Sequence, residues 1–272
     1  MAHIQDLRSP TPQPRRITGV NWIGVWTLYA KEVRRFLKVI NQTVSAPIVT
    51  TLMFLAVFTL ALDRRIEIGD GISFSVFLVP GLVMMAILQN SFANTSSSIV
   101  TGKIQGNIVD VLMPPLGPGE LTFAYAAGAV TRGLVVGTGT VIVLSAVVGI
   151  LPVNPVQMLF FAVMGSLMLG LVGIIAGMWA DKFDHLSSVT NFVITPLTFL
   201  SGTFYSIERL PGYWNNLAHM NPIFYLIDGF RGGMIGWSDT APWIGALLVA
   251  GINLALVAVS YRLLRSGYKL KA

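Results

Sequence analysis

The chain has 272 residues, of which 54% are hydrophobic and 11% charged, against roughly 45–50% and 25% in soluble domains. Its 18 basic and 12 acidic side chains are too few to solvate a globule of this size, which excludes a conventional soluble enzyme or a disordered chain and leaves an integral membrane protein. The absence of cysteine excludes disulfides, iron–sulfur clusters, thiolate zinc sites and cysteine nucleophiles.

Residues 1–21 are polar and proline-rich and are expected to form a disordered cytoplasmic tail, with neither a secretory leader nor a lipidation site. Over 22–40, Trp22, Val25, Trp26, Tyr29, Val33, Phe36, Leu37 and Ile40 recur at three- and four-residue intervals. At about 100° per residue they share one arc, while Lys31, Arg34, Arg35 and Lys38 fall opposite. This pattern predicts an amphipathic helix lying in the membrane interface, its cations toward water or lipid phosphate.

Apolar stretches long enough to cross the hydrocarbon lie near 44–62, 72–94, 121–150, 156–180, 189–206 and 243–264. The fold class expected is therefore an all-α polytopic membrane protein with six transmembrane helices. The stretch 207–236 is too broken by Pro, Gly and charge for a span. It is expected to form short, partly re-entrant outer helices packed against protein, since backbone at membrane depth needs internal hydrogen bonds. With both termini cytoplasmic, most Lys and Arg fall on that side, leaving Arg64, Arg65, Arg209 and Arg231 outside. The net charge of +6 is then a topology signal, and nucleic acid is not needed to explain it. Arg64 and Arg65 are expected to balance Asp63, Glu67 and Asp70.

The loop 101–118 between spans two and three holds Ile104, Ile108, Val111 and Leu112 at helical spacing, with Gln105, Asn107 and Asp110 on other faces and Pro114 and Pro115 as a stop. A short helix there lies on the membrane, covers its own bundle, or presents a knob to a cytoplasmic partner. Within the spans, Gln89, Asn90 and Asn94 on span two and Asn191, Thr195, Thr198 and Ser201 on span five are costly polar groups. They glue helices or line a polar path. Gly133-x-x-x-Gly137 and Gly173-x-x-x-Gly177 predict close helix approach. Arg132 is expected to snorkel to the interface or to pair with Glu120.

No catalytic constellation is present. His3, His185 and His219 are scattered, neither H-E-x-x-H nor G-x-S-x-G occurs, and Gly102-Lys103 lacks the flanking residues of a phosphate-binding loop. Neither a metal site nor a bound cofactor is expected, and no buried carboxylate series suggests a proton or sodium relay.

Several motifs together resemble the permease subunits of ABC-2 type exporters, most closely bacterial inner-membrane permeases of the YadH type. They are Ala30-Lys-Glu-Val-Arg-Arg-Phe36, Val79-Pro-Gly-Leu-Val-Met-Met85, the run Thr195–Ser206, Leu210-Pro211, Asn221-Pro-Ile-Phe-Tyr225 and Gly229-Phe-Arg231. The resemblance runs through nearly the whole chain and implies a transmembrane domain over 41–272. It implies two such permeases, each joined to an ATP-hydrolysing subunit that holds the ATP and magnesium. It further implies a connecting helix at 22–40, charged at Lys31, Glu32, Arg34, Arg35 and Lys38, and a coupling helix bearing Lys103, Ile104, Gln105, Asn107, Ile108, Asp110, Val111 and Leu112. Spans two and five would face each other across the dimer axis. Gln89, Asn90, Asn94, Asn191, Thr195, Thr198, Phe199 and Phe204 would then line the substrate route, with Phe199, Phe204 and Tyr205 as an outer gate or an aromatic belt. The function implied is ATP-driven export of an amphiphile, glycolipid, polysaccharide or drug. An ion-coupled carrier or channel, and a membrane assembly factor, are the competing classes.

Overall fold

A computed structural model describes residues 19–62, 67–68, 71–207 and 211–270. Most of the expected tail, the outer charges Asp63, Arg64, Arg65, Asp70 and Arg209, and Leu210 lie outside the described residues. The elements are α1 (Trp22–Leu37), α2 (Ala46–Leu62), β1 (Glu67–Ile68), β2 (Ile72–Ser73), α3 (Phe74–Ile104), α4 (Ile108–Leu112), α5 (Pro118–Val148), α6 (Pro155–Trp179), α7 (Phe183–Val189), α8 (Thr195–Phe199), α9 (Gly212–His219), α10 (Pro222–Ile235) and α11 (Pro242–Ser266). β1 and β2 form an antiparallel two-residue ladder, Ile68 opposite Ile72, which the apolar pattern did not foresee.

Among the described residues five helices are long and apolar enough to cross a membrane: Asn41–Ala61, Phe74–Ile104, Pro118–Val148, Pro155–Trp179 and Pro242–Ser266. The stretch expected at 189–206 is not one of them. Its helical path runs from α7 through a π-turn at Thr190–Ile194 into α8 and ends at Phe199. At 1.5 Å per residue that path is about 25 Å long, short of roughly 30 Å of hydrocarbon. Beyond it the chain turns, with Gly202 at a φ of 75°. A second π-turn, Asn41–Ser45, precedes α2. Each π-turn stands just upstream of a helical proline, Pro47 and Pro196. Such a ring clashes with the carbonyl four residues back, and a widened turn relieves the clash.

α3 is the centre of the bundle, in contact with α1, α2, α5, α6 and α10. In its most apolar stretch 83% of residues are buried, against 11% for Asn41–Ala61. Close approach comes from glycines on its neighbours. A methyl at Gly173 of α6 would meet Thr95 Oγ1 and the Phe92 carbonyl, and one at Gly177 would meet the Ser96 carbonyl at 3.1 Å. One at Gly133 of α5 would strike the Ser91 and Ser166 hydroxyls, and one at Gly137 the Ile87 side chain. Both glycine pairs therefore serve packing on α3 within one chain.

α3 does not stop near residue 94, where the expected span ends, but runs on to Ile104. The hydroxyls of Ser96 and Ser97 bond to their own helix's carbonyls at Phe92 and Ala93 (2.8 and 2.5 Å), and the helix stops only before Gly106, whose φ is 73°. The chain therefore has two ends. One carries α1, the 105–117 loop, the α6–α7 turn and the C-terminal residues, with Lys31, Arg34, Lys38, Lys103, Lys182, Arg262, Arg265 and Lys269; we call it the basic end. The far end carries the β ladder, the 149–154 turn and α8 to α10. There the expected broken stretch 207–236 forms two short helices, of which α10 is almost wholly buried against α3, α6 and α11.

Candidate functional site

The basic end is assembled by polar contacts between segments far apart in sequence. Asn21 is the N-cap of α1, accepting from the Gly24 N–H at 3.0 Å, so the expected tail gives way to structure before residue 21. Glu120, in the first turn of α5, accepts from the Asn21 and Gly117 N–H groups, each at 2.5 Å. It thereby caps α5 and ties α1 to it. Glu120 does not pair with Arg132, which lies deeper and donates to Asn90 Oδ1 at 2.9 Å.

α1 has three faces rather than two. Val25, Leu28, Glu32 and Phe36 are buried against the bundle, whereas Trp22 and Trp26 are each 67% exposed and Lys31, Arg34 and Lys38 point outward. Glu32 and Arg35 thus turn inward instead of joining an exposed charged face. Glu32, fully buried, accepts from the Ser98 hydroxyl at 2.6 Å and from Arg35 at 3.2 Å. Arg35 also donates to the Asn94 carbonyl (2.5 Å), Asn94 Oδ1 (3.2 Å) and Ser97 Oγ (3.1 Å). Leaving the bundle would cost Glu32 the Ser98 hydroxyl and Arg35 its Asn94 and Ser97 acceptors, and these charge-assisted bonds tie α1 to α3. Gly128 leaves the room, since a methyl there would lie 2.9 Å from Glu32 Cβ.

The loop after α3 folds as a five-residue helix, α4. Ile108 and Val111 are buried in an apolar cluster with Leu28, Ile99, Leu121 and Leu264. Ile104, Val109, Leu112 and Met113 stay exposed, as do Gln105, Asn107 and Asp110. Ile104 belongs to α3, so the four apolar positions at helical spacing do not form one face: two anchor the loop and two face outward. Between α1 and α4 opens a cavity of about 640 Å³, lined by Leu28, Lys31, Arg35, Thr101, Asp110 and Leu116 among others.

Lys103 is a positioning residue rather than a free cation. It donates to the Met178 and Ala180 carbonyls at the end of α6 (2.9 and 2.6 Å) and to Asp181 at 3.3 Å. Lys269 donates to the Trp179 carbonyl and to Asp181, both at 3.1 Å. Hydrogen bonds from Lys269 and then Lys103 hold the Asp181 carboxyl below the usual carboxylate range. This clamp joins α3, the α6–α7 turn and the C-terminal residues. Neither Asp181 nor Lys269 is marked by periodicity in the sequence; only the fold brings them together.

The residues proposed for a substrate route separate into groups. Asn90 and Asn94 are buried where α3 meets α5 and α1, and both carry the contacts just described; Gln89 is half-buried. Asn191 is exposed on the π-turn. At the far end the Thr203 hydroxyl donates to the Thr198 carbonyl at 2.6 Å and the Thr198 hydroxyl to the Thr195 carbonyl at 2.8 Å. Phe199 and Phe204 stack at 5.2 Å between ring centroids, and Phe58 and Phe54 of α2 join them at 4.8 Å to Phe204 and 6.4 Å to Phe199. The i, i+4 spacing of Phe54 and Phe58 was the only sequence signal for their part in this cluster. α3 is enclosed by its own chain, whereas α2, the 183–200 stretch and α11 leave most of their surface free.

Further along at this end, Arg231 is fully buried, its guanidinium 4.0 Å from the centre of the Phe77 ring and 2.6 Å from the Gly202 carbonyl, to which it donates. Asp228 accepts from the Asp239 and Thr240 N–H groups at 2.7 and 2.9 Å, and Asp239 accepts from the Ser206 hydroxyl at 2.8 Å. The turn at 200–207 is thereby fastened to α10 and to the start of α11. A family model for the ABC-2 type transporter matches residues 24–235, from α1 to the last residue of α10. The chain belongs to the ABC-2 type transporter family. This ABC-2 family member is 34% identical over 256 residues to the inner membrane transport permease YadH of Escherichia coli (strain K12), covering 92% of this chain and 98% of the relative. It is 26% identical over 231 residues to nodulation protein J of Rhizobium leguminosarum bv. viciae, covering 80% and 83%. Family and helices together make this ABC-2 protein a multi-pass membrane transport permease.

Proposed function

We propose that the chain is the membrane half of an ATP-driven exporter, working as a pair of permeases with two copies of a separate ABC ATPase subunit. The observation that carries this reading is α4. A short helix pinned by Ile108 and Val111 presents Val109, Leu112 and Met113, with Ile104 beside it, to the space beyond the basic end. Exposed apolar side chains at a membrane protein's aqueous end mark a protein contact. The excess of cations at that end orients it toward the cytoplasm of a bacterial inner membrane, both termini inside. The stretch 183–199 counts as a short sixth crossing, and α9 and α10 as outer elements that dip into the membrane.

Because Glu120 joins α1 to α5, Glu32 joins α1 to α3 and the Asp181 clamp joins α3 to the end of α6, with α4 seated among them by Ile108 and Val111, a push on α4 reaches α3 and α6 as one body. ATP-driven approach of the two partner subunits would then shift the population between inward-open and closed states. The Phe54, Phe58, Phe199 and Phe204 cluster acts as the apolar outer closure, and the two π-turns lie in the least enclosed helices, where bending costs least. The cargo is an amphiphile of the glycolipid, polysaccharide-lipid or drug type.

Vanadate-sensitive ATP hydrolysis in nanodiscs, after co-expression with candidate ABC ATPase subunits from the same genome, tests the reading. Val109→Asp and Met113→Asp are expected to leave the permease folded and abolish assembly or stimulation. Flux driven by an ion gradient from the chain alone, with no ATPase bound, would overturn it in favour of a carrier.

A further inference from the structure

The broken 183–199 stretch, α6, α9 and α11 together wall a cavity of about 670 Å³. Val172 of α6, Val193 and Leu197 of the broken stretch, Leu217 of α9, and Ile252 and Leu256 of α11 line it. Two of its walls are membrane-crossing candidates. The polar groups of Asn221 and Tyr205 in its wall are already committed. The Asn221 amide donates to the Leu197 carbonyl and the Ser201 hydroxyl (3.1 and 2.7 Å), its oxygen accepts from the Ile223 N–H (3.1 Å), and the Tyr205 hydroxyl donates to the Leu200 carbonyl (2.9 Å). Trp214 stands at the rim, 53% exposed.

A buried water needs two to four polar partners, and an apolar cavity without them stays dry. A volume within the range of small-molecule pockets, walled by spans, has hydrocarbon as its neighbouring fluid. The wall on one side is the segment with the π-turn and Pro196, whose own side chains fill too little of the space behind it. We infer that this cavity is a binding site for one acyl chain of a bilayer phospholipid, which wedges between α6, α11 and the broken stretch and supports it from behind. This rests on the reading of α6 and α11 as membrane-crossing helices.

The test uses the full chain in nanodiscs of phosphatidylcholine and phosphatidylglycerol, doped with a phospholipid carrying a photoactivatable diazirine within one acyl chain. Adducts are mapped by peptide mass spectrometry at cavity-lining Val172 and Ile252, with outward-facing Leu254, 73% exposed, as the reference. Labelling of Val172 and Ile252 is expected at a level comparable to Leu254. In Leu197→Trp, which fills the cavity, labelling of Val172 is expected to fall at least about fivefold while that of Leu254 stays unchanged. Strong labelling of Leu254 with none at Val172 or Ile252 overturns the site and leaves the spans intact. Absence of label at all three overturns the membrane placement of α11 itself. Photocrosslinks from the cavity to a second copy of the chain, in place of lipid, would also overturn the inference.

Discussion

Glu32→Ala is the sharpest probe of how α1 is held. The substitution removes the acceptor of the Ser98 hydroxyl at 2.6 Å and of Arg35 at 3.2 Å, from a residue with no exposed surface. The Glu32–Arg35 pair lies within α1 and travels with it, so what detachment breaks at Glu32 is the charge-assisted hydrogen bond from the Ser98 hydroxyl, worth about 1.5–3 kcal/mol. The Arg35 side chain is 31% exposed and keeps the Asn94 carbonyl and Ser97 hydroxyl in the variant, so the expected cost is that of the Ser98 bond, about 1.5–3 kcal/mol. Local detachment of α1 is the measurable event. The chain has no cysteine, so a single cysteine at buried Val25 reports it through the rate of maleimide modification in bicelles, under conditions where opening is a pre-equilibrium. At about 1.4 kcal/mol per decade the rate should rise about 12- to 140-fold in Glu32→Ala, less in Glu32→Gln, and not at all in Lys31→Ala, whose side chain is exposed. A change below threefold in Glu32→Ala would show that apolar contacts alone seat α1, and the account given of the buried carboxylate would fail.

Other expectations follow from the same geometry. Asp181→Asn should loosen the C-terminal residues at pH 7, seen as faster tryptic cleavage after Lys269. In the wild type the Asp181 carboxyl titrates below its unfolded value, so its contribution is complete above that value and is lost only as pH falls through the lower, folded one. Cleavage susceptibility should therefore be flat from about pH 5 to 8, and a loss of protection within that range would refute the clamp. Gly173→Ala puts a methyl against Thr95 Oγ1 and the Phe92 carbonyl and should destabilise the bundle by about 1–3 kcal/mol. Gly251→Ala, where nothing lies within 4 Å, should be neutral or stabilising by about 0.5–1 kcal/mol; steric-trapping unfolding in bicelles compares the two. Arg231→Lys should not rescue Arg231→Met in transport or stability assays. A compact ammonium cannot both lie over Phe77 and reach the Gly202 carbonyl as the planar guanidinium does.

Composition and apolar run length alone determined the membrane class and five of the crossing helices to within a few residues, except at the C-terminal end of α3, because a span must bury or expose a fixed length of hydrocarbon-compatible side chain whatever its neighbours do. The amphipathic pattern of 22–37 and the two G-x-x-x-G pairs were also legible, since both follow from helical period and small side-chain volume. The tertiary structure decided what no single helix carries. It turned Glu32 and Arg35 inward, because α3 offered Ser97, Ser98 and the Asn94 carbonyl at the matching height. It made Ile108 and Val111 anchors while leaving Val109 and Met113 outside, because the Gly106 turn separates α4 from α3. It broke the expected fifth span at a π-turn and a proline, and it set Asp181 between two lysines distant in sequence. Hydrophobic length is a property of a segment; a buried charge, a clamp or a cavity needs partners that only the packed chain supplies.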